Sequence, residues 1–290
     1  MRRLELEKEI NINDLPIYSP WCAEIMGGEE KGVHYKNPQQ VQREYNDEKW
    51  KAICNILEKE PQIRLSELED KVFGDELIPA YLNEKFILVE EKEERKKLYE
   101  FYLGKMTPFL LDMECLVELG SGYGSIILNL ASRASLGGAK LFSGEYTANG
   151  LRAQERLARN EGIDIALGEC DFFSLTKASI FNAAKNGVVF TSWALAYVPQ
   201  LTSSIIDWFS EFQPQYVIHF EPCYEYYSLE SLHGLMCRRY MQINDYNRNL
   251  VSVLKEAETK KRIKIEYIGK NLWGSNPFAP ISMIVWKPLC

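Results

Sequence analysis

Three glycines at alternate positions, Gly120, Gly122 and Gly124, follow the acidic residue Glu118. The run Cys115-Leu116-Val117 before them is apolar and of strand type. Beyond them, Ile126, Ile127 and Leu130 take a spacing that suits a helix. A strand that becomes a helix through glycines is a candidate ligand-binding turn. Glycine lacks a Cβ, so its backbone takes positive φ and lets a ligand approach closely. The first turn of the helix offers free N–H groups and the positive end of its dipole. A carboxylate or a hydroxyl-rich ligand suits such a place. Glu145 closes the next apolar run. A carboxylate there can accept both ribose hydroxyls of a nucleoside in bidentate fashion. The spacing is not the dinucleotide pattern G-x-G-x-x-G, so a nucleotide-dependent oxidoreductase fits poorly.

The stretch Glu118-Leu119-Gly120-Ser121-Gly122-Tyr123-Gly124 resembles motif I of the class I S-adenosylmethionine (SAM) dependent methyltransferases. The resemblance covers the chain from Cys115 onward. It implies SAM as cofactor, with Gly120, Ser121, Gly122 and Gly124 near its methionine part and Glu118 holding its amino group. It places Glu145 at the ribose. It implies that Asp171 accepts from the adenine amine while Phe172 packs on the ring. Ser192 and Trp193 fall after the fourth strand, against adenine or the substrate. The segment Ser192-Trp193-Ala194-Leu195 departs from the Asp/Asn-Pro-Pro-Tyr signature of amino-methylating nucleic-acid and glutamine enzymes, which argues against those substrates.

Sheet ligands bind beyond the carboxyl ends of the strands. Glu221, His233 and Tyr197 are therefore the catalytic candidates. Tyr224, Tyr227, Arg238, Asn247 and Asn276 are the candidate substrate contacts. His219 lies within an apolar run and reads as structural, and no metal set is expected. An acidic, aromatic wall suits an amine or amino-acid-like acceptor, with a sugar or phenol hydroxyl close behind. A peptide or protein acceptor is the alternative among enzymes, and a non-catalytic scaffold of the same fold is the alternative outside them.

The 290 residues carry 46% hydrophobic and 26% charged side chains, with a net charge of −7. That is ordinary globular composition. The charged runs 90–97 and 260–264 mix or adjoin both signs, so they read as solvated faces and no nucleic-acid partner is expected. No apolar run reaches membrane-span length. The seven cysteines are scattered without a C-x-x-C pair, and the N-terminus lacks an apolar leader core. A cytoplasmic protein with reduced thiols, monomeric or homodimeric, follows as the expectation.

Two regions are expected. Residues 1–108 read as a helical N-terminal cap, with helices over 38–59, 65–72, 76–82 and 90–103. Residues 109–290 read as the SAM-binding domain. Strands are expected at 115–119, 140–146, 163–167, 187–191 and 216–220, alternating with helices at 125–134, 149–161, 177–184 and 203–212. A long helical stretch over 229–259 precedes strands at 263–268 and 281–287. The fold class is α/β: a Rossmann-like, seven-stranded, mostly parallel sheet with an antiparallel C-terminal hairpin and the N-terminal cap.

Overall fold

The computed structural model describes residues 7–27, 33–134 and 136–289. Cys290 and residues 1–6 lie outside these. The chain opens with strand β1 (Glu7–Ile10) and the short helices α1 (Leu15–Tyr18) and α2 (Trp21–Met26). Helix α3 (Pro38–Val41) runs into a π-helical stretch, Gln42–Trp50, and on into α4 (Lys51–Lys59). Asn37 caps this rod, its side chain accepting from Gln40 N–H at 2.8 Å. Helix α5 (Leu65–Val72), the hairpin β2 (Leu77–Leu82) and β3 (Lys85–Glu90), and α6 (Glu91–Met106) complete the N-terminal part.

The alternating part follows: β4 (Cys115–Leu119), α7 (Ser125–Arg133), β5 (Lys140–Glu145), α8 (Ala148–Glu161), β6 (Ala166–Asp171) and the short β7 (Thr176–Lys177). Then come β8 (Val188–Ser192), α9 (Ser204–Ser210), β9 (Tyr216–Pro222), α10 (Leu232–Ile243), α11 (Leu250–Thr259), β10 (Ile263–Gly274) and β11 (Ile281–Pro288).

Among the described residues, all the strands join one eleven-stranded sheet in the order β1-β3-β2-β10-β11-β9-β8-β4-β5-β6-β7. Its centre, β9-β8-β4-β5-β6, is parallel. Every other pairing is antiparallel. The expectation of seven mostly parallel strands is therefore corrected: the sheet is mixed, and the N-terminal hairpin extends it beyond β10.

The purely helical cap is corrected for the same reason. Residues 76–82 pair as a strand, not a helix. Asn83 and Glu84, with φ of 45° and 68°, form the two-residue left-handed turn that matches strand twist. Pro79 lies beyond the short ladder that β2 makes with β10 at Tyr81 and Leu82, so its missing N–H costs nothing there. Three smaller corrections follow. The third parallel strand sits at Ala166–Asp171 instead of 163–167. Residues 179–183 make a 3-10 turn where a helix was expected over 177–184. The stretch 229–259 breaks into α10 and α11, because Asn247 Oδ1 accepts from the N–H groups of Asn249 and Leu250 and so starts a new helix.

The parallel strands are apolar on both faces, as a sheet covered by helices requires. Successive residues of β4 show it. Leu116 packs with Ile53, Tyr102, Ile127 and Leu157 on one side. Val117 packs with Ile205, Phe209, Val251 and Leu254 on the other. A third cluster, with Tyr240, Tyr246 and Phe278, joins α10 to the first helices. All six described cysteines are unpaired and buried.

Candidate functional site

The carboxyl ends of β4, β5, β6 and β8 open onto one cavity of about 490 Å³, a size that suits a small ligand. The glycine turn forms its floor. Gly120, Gly122 and Gly124 have φ of 76°, 58° and 81°, all left-handed. Gly120 and Ser121 donate their N–H groups to Gly144 O at 2.7 and 3.0 Å, tying the turn to β5. A Cβ on Gly122 would stand 2.7 Å from Trp50 Cζ2, so the indole lies directly on this glycine. Gly124 is packed against the Gln154 side chain and does not line the cavity.

Glu118 is 1% exposed. One of its oxygens accepts from Ile127 N–H at 3.0 Å. Burial pushes its carboxyl up to about 8, against that one hydrogen bond and with help from nearby Glu145. Glu145 lines the cavity too. Its Oε2 accepts from Gly122 N–H at 2.9 Å, and its Oε1 accepts from Thr147 N–H at 3.0 Å and Thr147 Oγ1 at 2.6 Å. The chain's own donors thus fill most of this carboxylate. Oε2 keeps room for one further donor, where the sequence suggested a free bidentate pair.

Phe172 and Phe173 provide an apolar wall after β6. Asp171 does not line the cavity. Its oxygens accept from Phe173 N–H at 2.7 Å and Ser174 Oγ at 2.6 Å, which makes it the residue that sets the turn. Ser192 and Trp193 do line it. Ser192 Oγ lies 2.5 Å from Tyr102 OH. Trp193 takes φ 52°, an unusual conformation for so large a residue, and its N–H donates to Phe220 O at 3.1 Å.

The acceptor side differs most from the sequence reading. Tyr197 lines the cavity and hydrogen-bonds Tyr45 through its hydroxyl. Asn276 lines it as well. Glu221 does not. It is buried behind the loop and accepts from the N–H groups of Ala194, Leu195 and Ala196 at 3.0, 3.1 and 3.2 Å, capping the 3-10 turn Leu195–Tyr197. Burial still pushes it up to about 7, despite those bonds.

His233 packs between Tyr81 and Phe86, with ring centroids at 4.6 and 4.8 Å, and its Nε2 lies 2.6 Å from Pro277 O. Burial depresses its basicity. Neither residue touches the cavity, so both leave the catalytic set. Tyr227 gives its hydroxyl to Pro280 O at 2.8 Å. Arg238 donates to Tyr227 O at 2.7 Å and stacks 4.4 Å from the centre of the Tyr224 ring. Asn247 donates to Val198 O at 2.7 Å. All four bind the chain to itself outside the cavity.

The sequence reading missed the part of the wall that precedes β4. Tyr45, Lys49 and Trp50 reach in from the π-helical stretch, and Arg95, Leu98 and Tyr102 from α6. Bonding of residue i to i+5 brings Tyr45 and Trp50 onto one side of the rod; an α-helix would turn them apart. The Tyr45–Trp50 interval of five was the signal available, since it does not fit an α-helical face. The Arg95 guanidinium lies 4.2 Å from the centre of the Phe73 ring and forms no ion pair with the described residues. Burial works against its charge, but Tyr99, Tyr123, Glu94 and Glu69 around it more than offset that. Tyr240 and Tyr246, from and just after α10, complete the aromatic wall.

No protein-family model matches the sequence, and no curated protein matches it. Among solved structures, the chain is similar to geranyl diphosphate C-methyltransferase from Streptomyces coelicolor, at 14% identity over 69% of this chain and 81% of that one, with a TM-score of 0.47. It is similar to magnesium protoporphyrin IX methyltransferase from Synechocystis, determined with S-adenosylhomocysteine, at 12% identity over 68% and 84%, with a TM-score of 0.44. It is also similar to a SAM-dependent methyltransferase from Clostridium acetobutylicum, at 12% identity over 67% and 91%, with a TM-score of 0.46. At these identities and scores the likeness is one of fold alone. In strand order, glycine turn and acidic strand ends, the chain resembles the class I SAM-dependent methyltransferases.

Among the described residues, no helix is long and apolar enough to cross a membrane. No group of three or more His, Cys, Asp or Glu in them is placed to hold a metal ion.

Proposed function

We propose that the protein is a SAM-dependent methyltransferase acting on a small-molecule acceptor. One observation carries this reading. Glu118 and Glu145, at the ends of adjacent parallel strands, flank the left-handed turn Gly120–Gly124 and open into the same cavity. The side chains suit the cofactor's parts in sequence. An acid, Glu118, and a guanidinium without an ion-pair partner among the described residues, Arg95, match an amino acid zwitterion. Glu145 Oε2 matches a ribose hydroxyl. Phe172 and Phe173 match a flat base.

When bound, the cofactor supplies a methyl group already activated by its sulfonium. The chain's own residues then hold and enclose. Glu118 and Arg95 fix the amino acid end, and the glycine turn lets the backbone come close. Trp50 covers the turn, and the Tyr45–Tyr197 hydrogen bond ties the N-terminal rod to the loop after β8. That bridge limits water and aligns the acceptor, which is where rate is gained in a displacement.

The N-terminal residues, in this reading, form the lid that selects the acceptor. The amine preference drawn from the sequence loses its support, because Glu221, Tyr224 and Tyr227 lie outside the cavity. Incubation with SAM labelled at the methyl group and a panel of small acceptors tests the reading. Transfer of label to a small molecule is the expected result. Label found only on added protein or RNA would overturn the acceptor class.

A further inference from the structure

The acceptor end of the cavity carries charge and shape of its own. Tyr45, Trp193, Tyr197, Tyr240 and Tyr246 line the cavity there. Their rings meet edge to face: Tyr197 and Tyr246 at 87° with centroids 5.4 Å apart, Trp193 and Tyr246 at 80° and 6.2 Å. A flat aromatic ring is the shape such a wall receives.

Positive charge leans on this wall from outside. Lys36 Nζ lies 5.8 and 5.5 Å from the centres of the Tyr197 and Tyr246 rings, and Lys49 Nζ lies 4.1 Å from that of Tyr45. Both lysines share one acid, Glu44, at 2.7 and 2.9 Å. Despite its burial, the two ammonium groups hold Glu44 below the usual carboxylate range, so it stays charged. The trio therefore carries a net positive charge, and Lys49 itself lines the cavity. Three of the five rings, Tyr45, Tyr197 and Tyr246, already carry a lysine on a face, which leaves less room there for a cationic acceptor.

Two further acids near this end are committed. Glu94, behind Ser275, accepts from Ser275 Oγ at 2.5 Å and Trp273 Nε1 at 2.6 Å. Asp245 pairs with Arg248 at 3.2 Å. Among the described residues, no histidine lines the cavity. Burial, with the neighbouring phenols and the Glu44 carboxylate adding to it, raises the phenols of Tyr45, Tyr197 and Tyr246 well above their ordinary range, so they act as neutral donors and not as bases.

Resting on the methyltransferase reading, we infer that the acceptor is an aromatic compound with an acidic hydroxyl, methylated as its oxyanion without a protein base. The hydroxyl proton leaves to solvent before transfer, with Lys49 in the cavity wall as the counter-charge to the oxyanion left behind. An oxygen lone pair of the oxyanion then bonds the methyl carbon. The carbon–sulfur bond breaks, and its electron pair stays on sulfur. A sulfonium and an oxyanion thus become a neutral thioether and a neutral methyl ether.

The test uses 4-methylphenol, 4-cyanophenol and 4-nitrophenol, a series of similar shape and rising acidity, beside 4-methylbenzylamine. Transfer of labelled methyl from SAM, kept saturating at every pH, is followed against pH, and binding to the protein loaded with S-adenosylhomocysteine is measured by calorimetry. The rate is expected to rise to a plateau at a pH that moves down along the series, with the benzylamine methylated far more slowly. Lys49→Met is expected to weaken 4-nitrophenol binding by about two- to fivefold, the effect of one half-exposed charge pair, and to weaken 4-methylphenol less. A rise at one fixed pH for every phenol, equal use of the benzylamine, or no binding of any phenol to the loaded protein would overturn the inference. Failure of wild-type protein to bind S-adenosylhomocysteine would instead remove the methyltransferase reading beneath it.

Discussion

The Glu145 carboxylate accepts the Gly122 backbone N–H at 2.9 Å. One acid at the end of β5 thus holds the glycine turn in shape and keeps a lone pair facing the cavity. Replacing it removes both roles. Glu145→Ala is expected to weaken S-adenosylhomocysteine binding by about ten- to hundredfold, the cost of one charge-assisted hydrogen bond. It should also lower Tm, because Gly122 N–H and Thr147 lose a buried acceptor. Calorimetry and thermal melting read the two effects separately. Unchanged affinity would exclude Glu145 from the ligand.

Trp50 and Gly122 are coupled by contact. Gly122→Ala places a Cβ 2.7 Å from Trp50 Cζ2 at a φ of 58°. The left-handed backbone alone costs about 1–2 kcal/mol, and displacement of the indole adds to it. A double-mutant cycle checks this: Trp50→Ala should relieve the contact portion of the Gly122→Ala defect and leave the backbone portion. Strict additivity would mean that the indole does not rest on the turn.

Much of this was legible before any coordinates. The alternation of β4 through β9 showed in short apolar runs separated by helix-period segments, because buried parallel strands are apolar on both faces. The hairpin β2–β3 was not. Leu77–Leu82 is apolar enough for either state, and only pairing with Lys85–Glu90 and β10 decides it. The site divided in the same way. Glu118, Glu145, Phe172, Ser192, Trp193, Tyr197 and Asn276 reach the cavity. Glu221 and His233 have the right chemistry at nearby positions, but backbone N–H groups and aromatic neighbours claim them, which spacing cannot show. Arg95 and Tyr45 were hidden because their helices arrive from far earlier in the chain.

Ligand affinity should depend on pH through Glu118. Its carboxyl, pushed up to about 8 by burial, is largely protonated in the free protein at neutral pH. Binding a cationic amino group requires the carboxylate, so a proton must leave. Affinity for S-adenosylhomocysteine is expected to rise between pH 6 and 8, by at most about tenfold per pH unit. Stability of the free protein runs the other way. Glu118 and Glu221 are raised in the folded state to about 8 and 7. The folded state therefore binds more protons than the unfolded one from their ordinary range, near 4.5, up to those values. Tm should fall as pH rises across that window. Glu118→Gln should flatten the affinity dependence and reduce that of Tm, part of which Glu221 retains; a pH-independent affinity would remove Glu118 from the ligand's amino group.

Arg95 offers the cavity a cation without an ion-pair partner among the described residues. Arg95→Met is expected to weaken S-adenosylhomocysteine by about ten- to hundredfold. The decarboxylated analogue should bind the variant as it binds wild type. Equal losses for both ligands would show that Arg95 supports the fold and does not contact a carboxylate.

In the proposed function, the cavity beyond β4, β5, β6 and β8 receives the nucleoside and amino acid ends of SAM. Calorimetric titration of the protein with S-adenosylhomocysteine, beside NADH, checks this. Saturable one-to-one binding of S-adenosylhomocysteine, with no heat from NADH, is the predicted result. No binding of S-adenosylhomocysteine, or equal binding of NADH, would contradict it.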